Sequence, residues 1–259
     1  MKKLLLTLSL LAGFTTLHAV AASPLVMGID PTFPPFESKD AQGKLVGFDI
    51  DLGKAICTRI QRDCQFLELP FDALIPALKA RKFDVILSSL SINDERRKSI
   101  DFSVPLYTSP VWLVAPAKAG LSDDLAKLAG KRIGVQQGTI FESYANQHWR
   151  GHGVEVVAYQ NDDQIYADLA AGRLDATLDD AIVANILFLS KPQGAGFALN
   201  GKEIYQKSLF GQGTGMGFRK EEDRALQAQV NKAIADLRAD GTFSQLSQRY
   251  FKVDVTPKS

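Results

Sequence analysis

The fourteen residues from Asp84 to Arg97, DVILSSLSINDERR, decide how the chain reads. Val85-Ile86-Leu87 is a short, apolar, β-branched run of the kind that forms an inner strand of a parallel sheet, and polarity begins abruptly at Ser88. Three serines, Ser88, Ser89 and Ser91, therefore gather at the carboxyl end of a strand. Asn93 or Asp94 can cap a short helix whose first turn carries Arg96. A guanidinium beside hydroxyls and helix N–H groups is a ready anion site, while a capped turn with a solvated arginine is the plainer reading of the same residues.

Outward from this segment the wording is α/β throughout. A strand at Leu25 to Ile29 precedes a helix near Asp49 to Gln61, a strand near Cys64 to Leu69 and a helix from Asp72 to Ala80. The rhythm resumes with a strand at Arg132 to Val135, a helix after Thr139, a strand at Val154 to Val157 and a helix near Asp163 to Ala171. It ends with a strand at Ala176 to Leu178 and a helix from Ala181 to Leu189. Leu78, Ala80, Lys82, Phe83, Asp84 and Leu87 match Leu169, Ala171, Arg173, Leu174, Asp175 and Leu178 in type and order at a fixed offset of 91 residues. A second echo sets Gly28-Ile29-Asp30, then Phe36-Glu37-Ser38, against Gly134-Val135-Gln136, then Phe141-Glu142-Ser143. Duplicated α/β lobes are the expectation. Ser88 and Ser89 then correspond to Asp179 and Asp180, so one structural corner carries hydroxyls in one lobe and carboxylates in the other. Ligands bind at the carboxyl ends of such strands. Tyr107 to Ala115 is the natural crossing between lobes, Tyr205 to Gly217 the return, and Glu221 to Asp240 and Phe243 to Phe251 read as closing helices on the first lobe.

The chain begins with Lys2 and Lys3, a largely apolar run from Leu4 to Leu17 and then Ala19-Val20-Ala21, the three zones of a secretory signal peptide. Export of a soluble mature chain is expected, because this run of fourteen residues is shorter than the roughly 20 needed to span a bilayer and no later segment is long and uninterrupted enough to do so. Removing residues 1–21 leaves 28 basic against 29 acidic residues, which points to neither nucleic acid nor an anionic membrane. A hydrophobic content of 46% can bury a large core. Cys57 and Cys64, the only cysteines, favour a disulfide in an oxidising compartment. Two cysteines with His148 and His152 far away make a poor metal set, and no cofactor is expected.

Asp30 follows the first strand directly, and a carboxylate there needs a partner or water. The prolines of Pro31-Thr32-Phe33-Pro34-Pro35 end strand pairing and stiffen the loop. Phe33 and Phe71 can flank an aliphatic stem or a cation, or simply fill core. Gln136-Gln137-Gly138-Thr139 opens a helix whose N–H groups can meet an anion. No phosphate loop, nucleophile elbow or zinc-protease run is present, and Gly211 to Gly217 lacks the helix and acid of a dinucleotide site.

With these features assembled, the chain resembles the periplasmic lysine/arginine/ornithine-binding and histidine-binding proteins of ABC importers, within the bacterial extracellular solute-binding proteins of family 3. PPFESKDAQGKLVGFDIDLGKAIC, FDALIPALKARKFDVILSSLSINDERR, GKRIGVQQGT, IYADLAAGRLDA and LRADGTFSQLSQRYF carry the resemblance over nearly the whole mature chain. It implies a type II periplasmic binding protein fold of two α/β lobes, each a mostly parallel sheet flanked by helices. Residues 1–21 are then the signal peptide, 22–108 and 214–259 lobe 1, 112–204 lobe 2, and 109–111 and 205–213 the hinge crossings. Arg96 and Ser91 would bind an α-carboxylate, completed by Thr139 and Ile140, and Asp180 an α-ammonium. Ser88 and Ser89 would line the pocket, Asp30 would meet the end of a basic side chain, and Phe33 and Phe71 would sandwich its stem. Cys57 and Cys64 match the family's disulfide.

The implied partners are one L-amino acid (arginine, lysine, ornithine or histidine) and an inner-membrane permease, with a chemoreceptor as a further candidate and a monomeric state. The alternatives are a dehydratase-like enzyme on the same fold and a ligand-presenting sensor. Three residues depart from the pattern: Phe33 stands in place of tyrosine, Ile140-Phe141 in place of a hydroxyl residue and glutamine, and Ala181 in place of an acid.

Overall fold

The computed structural model describes residues 23–211, 213–252 and 255; the segment read as a signal peptide, residues 1–21, lies outside them. In chain order the strands are β1 (Leu25–Ile29), β2 (Ser38–Lys39), β3 (Leu45–Val46), β4 (Cys64–Glu68), β5 (Val85–Ile86) and β6 (Ile100–Phe102). They continue as β7 (Val111–Pro116), β8 (Arg132–Gln136), β9 (Glu155–Tyr159), β10 (Ala176–Asp180), β11 (Phe197–Asn200) and β12 (Gly217–Arg219). Two five-stranded sheets form, in the orders β4-β1-β5-β12-β6 and β11-β7-β10-β8-β9, while β2 and β3 pair as a separate hairpin. In the first sheet β1 runs parallel to β4 and β5, and β12 lies antiparallel between β5 and β6. In the second, β8 runs parallel to β9 and β10, and β7 lies antiparallel between β10 and β11. Each lobe is thus an α/β unit in which the strand that enters from the other lobe runs against the rest.

The duplication read from the sequence is visible in the register. Gly28 pairs with Leu67 and Ile86, and Gly134 pairs with Val157 and Thr177, so both glycines occupy one place in the two sheets. A Cβ on Gly28 would lie 2.3 Å from the Phe83 ring, and one on Gly134 would lie 2.6 Å from Leu174. Phe83 and Leu174 are themselves mates in the 91-residue offset. The second echo holds only in part. Phe36-Glu37-Ser38 leads into β2, whereas Phe141-Glu142-Ser143 lies within the helix Ile140–His148, so those triplets are not equivalent.

Helices flank both sheets. Phe48–Arg59 follows the hairpin with Asp49 and Asp51 in its first turn and Arg59 in its last, charges that suit the helix dipole. The helix read as Ala181 to Leu189 is one α-turn, Ala181–Ala184, continued by a π-turn, Asn185–Leu189, in which the Ser190 N–H reaches the Asn185 carbonyl (3.0 Å). The helices Arg224–Ala239 and Thr242–Phe251 return to the first lobe, where Val230, Ala233, Ile234, Leu237 and Phe243 join Leu25, Met27, Phe48, Leu52 and Ile56 in one core. The second lobe has its own cores, around Leu113, Val135 and Trp149 and around Val114, Ile165 and Phe188. Cys57 and Cys64 form a disulfide with a Cα–Cα distance of 5.8 Å, tying the end of the first helix to β4. Among the described residues no helix is long and apolar enough to cross a membrane.

Candidate functional site

The carboxyl ends of both sets of parallel strands face one cleft of about 940 Å³. Asp30, Phe33, Phe71, Ser88, Ser89, Ser91 and Arg96 from the first lobe line it together with Thr139, Ile140 and Asp180 from the second. All ten residues singled out in the sequence are therefore brought together. The lobes also touch directly. Gln136 Nε2 donates to Asp30 Oδ2 (3.0 Å), Arg96 Nη2 donates to the Gly138 carbonyl (3.1 Å), and Gly138 packs so closely on Asp72 that a Cβ would lie 2.8 Å from its Cα.

Arg96 is placed by its own helix. Asn93 is the N-cap, its side chain accepting from the Arg96 N–H (2.8 Å), and Arg96 Nη1 donates to the Ser91 carbonyl (2.9 Å). Its guanidinium lies 5.4 Å from the Phe71 ring centroid, and no carboxylate is within ion-pair distance among the described residues. Burial lowers its pKa to about 10, which leaves it charged at neutral pH. Phe71 is thus in contact with Arg96 and Phe33 stacks on Phe36, with no ring contact between Phe33 and Phe71 among the described residues.

The hydroxyls of Ser88 and Ser89 are already committed. Ser88 Oγ accepts from the Asp30 N–H (2.9 Å) and donates to Glu37 Oε1 (3.0 Å). Ser89, at a left-handed φ of 45°, shares its hydroxyl between Glu37 (3.3 Å) and Tyr107 (2.9 Å) while its N–H donates to Asp49 (3.0 Å). Behind the serines stands a buried acid pair the sequence reading missed, Glu37 and Asp49, with the Tyr107 hydroxyl 3.0 Å from both Asp49 oxygens. Burial raises Asp49 to about 6 and Glu37 well above the usual carboxylate range, and their mutual repulsion adds to the shift of Glu37. A signal existed: Asp49 sits at helical spacing with Leu52, Gly53 and Ile56, an acid on an apolar stripe.

The second lobe contributes three buried acids and, among the described lining residues, no lysine or arginine. Asp180 caps its short helix by accepting from Ile182 N (2.7 Å) and Val183 N (3.2 Å), and burial raises it to about 6. Asp179 points away from the cleft, accepting from the Tyr166 hydroxyl and the Asp180 N–H, and burial raises it to about 8. Asp162, also missed, is buried with Oδ2 unpartnered among the described residues; burial and the facing carboxylates of Asp179, Asp30 and Asp180 push its pKa well up. Asp30 accepts from Thr32 Oγ1 (2.9 Å), Phe71 N (3.1 Å) and Gln136, and is raised chiefly by burial. None of these six acids forms an ion pair with lysine or arginine among the described residues, and Arg96 is the only such cation lining the cleft.

The family model of the bacterial extracellular solute-binding proteins, family 3, matches residues 25–253. The chain belongs to that family. It is 49% identical over 258 residues to the histidine-binding periplasmic protein of Salmonella typhimurium, covering 98% of this chain and 99% of the relative. To the lysine/arginine/ornithine-binding periplasmic protein of Escherichia coli it is 48% identical over the same coverage. Among solved structures, an ancestral arginine-binding protein bound to arginine superposes with a TM-score of 0.80 at 34% identity, over 89% of this chain and 99% of that one. An ancestral amino acid-binding protein described as a precursor of cyclohexadienyl dehydratase superposes with a TM-score of 0.77 at 27% identity, over 88% and 95%. This family member therefore has the two-lobed binding fold expected of it, with its disulfide in place.

Proposed function

We propose that the chain is the periplasmic receptor of an ABC importer and that it closes around one L-amino acid with a basic side chain: arginine, lysine, ornithine or histidine. The observation that carries this is the charge of the cleft. Asp30, Glu37 and Asp180 line it with Arg96 as the single arginine, while burial favours the protonated form of Glu37 and of Asp162 and Asp179 behind it, so Asp30 and Asp180 are the buried lining carboxylates left to meet a cation. A ligand with two ammonium-type groups and one carboxylate complements that arrangement. Arg96 with Ser91, and the helix start at Thr139 and Ile140, take the α-carboxylate. Asp180 takes the α-ammonium and Asp30 the side-chain cation, whose stem lies between Phe33 and Phe71. Ser88 and Ser89 hold Asp30, Glu37 and Asp49 in place from the pocket wall.

Residues 22–108 and 214–259 form one moving body and 112–204 the other, with 109–111 and 205–213 as hinges. Contacts split between lobes are made together only when closed, so ligand favours closure by its differential affinity. Residues 1–21 direct export. The receptor acts as a monomer, presenting its ligand to a permease and possessing a surface a chemoreceptor can share. It binds without turnover, because Asp30 accepts three hydrogen bonds and Asp180 two, which leaves neither placed as a free general acid. A thermal-shift screen over the twenty amino acids with ornithine and citrulline tests the reading. Basic amino acids should raise the melting temperature, by about 2.7 kcal/mol of stabilisation at a hundredfold excess over Kd. A response confined to neutral or acidic amino acids refutes it.

A further inference from the structure

Gln136 ends β8 where Asp30 follows β1, so the two side chains that meet across the cleft are mates in the duplicated scaffold. The orientation of the amide is fixed by its partners. Nε2 donates to Asp30 Oδ2 (3.0 Å) and to the Gln160 carbonyl (3.1 Å), and a backbone carbonyl can only accept. Both amide hydrogens are thereby used. Oε1 receives no hydrogen bond among the described residues, and the side chain lines the cleft.

We propose that Gln136 is a specificity-determining residue that selects a guanidinium over an ammonium at the side-chain end of the cleft, a role that rests on the reading of the cleft as a basic amino acid site. Asp30 already accepts one hydrogen bond at Oδ1, from Thr32, and two at Oδ2, from Phe71 and Gln136. A carboxylate offers about four acceptor positions, so roughly one remains. That one position suits a compact, strongly hydrated ammonium, whose other N–H groups can keep water. A planar guanidinium presents its N–H groups as a rigid fork and needs a second acceptor beside the first. Gln136 Oε1 is the acceptor on the adjoining side chain. Asp30 supplies the charge that any cation meets, and the amide supplies shape.

Calorimetric titration of the protein and its Gln136→Leu variant with arginine and with lysine tests the role, after circular dichroism has established that the variant is folded; Gln136→Met serves as a second, unbranched variant. Arginine affinity should fall roughly 10- to 100-fold, the worth of one charge-assisted hydrogen bond, while lysine affinity changes less than about threefold. Equal loss for both ligands would mean that the Gln136–Asp30 contact acts only on closure, and an unchanged arginine-to-lysine ratio overturns the role. Failure of the unsubstituted protein to bind either ligand overturns the proposed function and this role with it.

Discussion

Gly28 of β1 lies opposite Ile86 of β5, and Gly134 of β8 lies opposite Thr177 of β10. Two residues beyond each inner-strand partner the lobes part company, with Ser88 and Ser89 in the first and Asp179 and Asp180 in the second. The backs of these corners remain alike. Tyr107 holds Asp49 in one lobe, and Tyr166 holds Asp179 in the other. The fronts differ: the first lobe adds Arg96, while the second offers carboxylates and helix N–H groups. Sheet register tolerates little change, because a slip turns side chains to the wrong face. Strand-end loops tolerate much more, and there the two corners present different groups to a shared space, hydroxyls with a guanidinium in one and carboxylates in the other.

The sharpest way to break the comparison is to remove one charge from each side. Arg96→Ala and Asp180→Ala should each weaken amino acid binding by about 3 kcal/mol or more, roughly 150-fold by calorimetric titration, since each leaves a charged ligand group unpaired in a desolvated cleft. Retained affinity in either variant would mean that its lobe contributes no head-group contact. A second comparison adds a methyl group at equivalent places. Gly28→Ala drives a Cβ into the Phe83 ring at 2.3 Å, and Gly134→Ala meets the more adaptable Leu174 at 2.6 Å. Overpacking of this kind costs roughly 1–3 kcal/mol, and Gly28→Ala should show the larger loss in denaturant titrations. Equal losses would show that the second core is as rigid as the first.

The smallest effect concerns the acidic backs of the corners. Burial raises Asp49 and Asp180 to about 6 and Asp179 to about 8. Each therefore binds a proton more readily folded than unfolded, and stability falls as pH rises from the ordinary carboxylate range through those values. Of these three, Asp179 carries the fall furthest, to about pH 8. Asp179→Asn should flatten the decline between pH 6 and 8 and raise the ligand-free melting temperature at pH 8 by roughly 2–4 °C, the equivalent of about 1 kcal/mol at this size. Parallel melting curves across that range would contradict the assignment.

How much the sequence disclosed depends on the distance over which each feature is encoded. Val85-Ile86 as a buried strand, Asn93 as a cap and Thr139 at a helix start are local patterns, and all three stand in the structure. The mating of Ser88-Ser89 with Asp179-Asp180 was legible because the offset of 91 residues is constant across the adjoining helix and strand. The Phe-Glu-Ser triplets misled because an intervening hairpin, β2–β3, exists only in the first lobe and displaces the chain beyond β1. Glu37 with Ser88, and Asp30 with Gln136, are joined across 51 and 106 residues. No local period signals such pairs, which arise only when loops from separate strands converge. Asp162 gave no signal beyond that of an ordinary helix-opening acid, and its burial comes from the second lobe's packing.

β12 lies between β5 and β6, yet more than a hundred residues of chain separate it from either. A chain emerging from its N-terminus, whether from the ribosome or through a membrane, completes all five strands of the second sheet before the first sheet can close. Until β12 arrives, β5 and β6 each expose an unpaired edge of the sort that invites association with other chains. The late-synthesised end of this protein is thus its own protection against aggregation, and truncations that spare Arg96, Asp180 and the other polar residues of the cleft can still be the most damaging to yield.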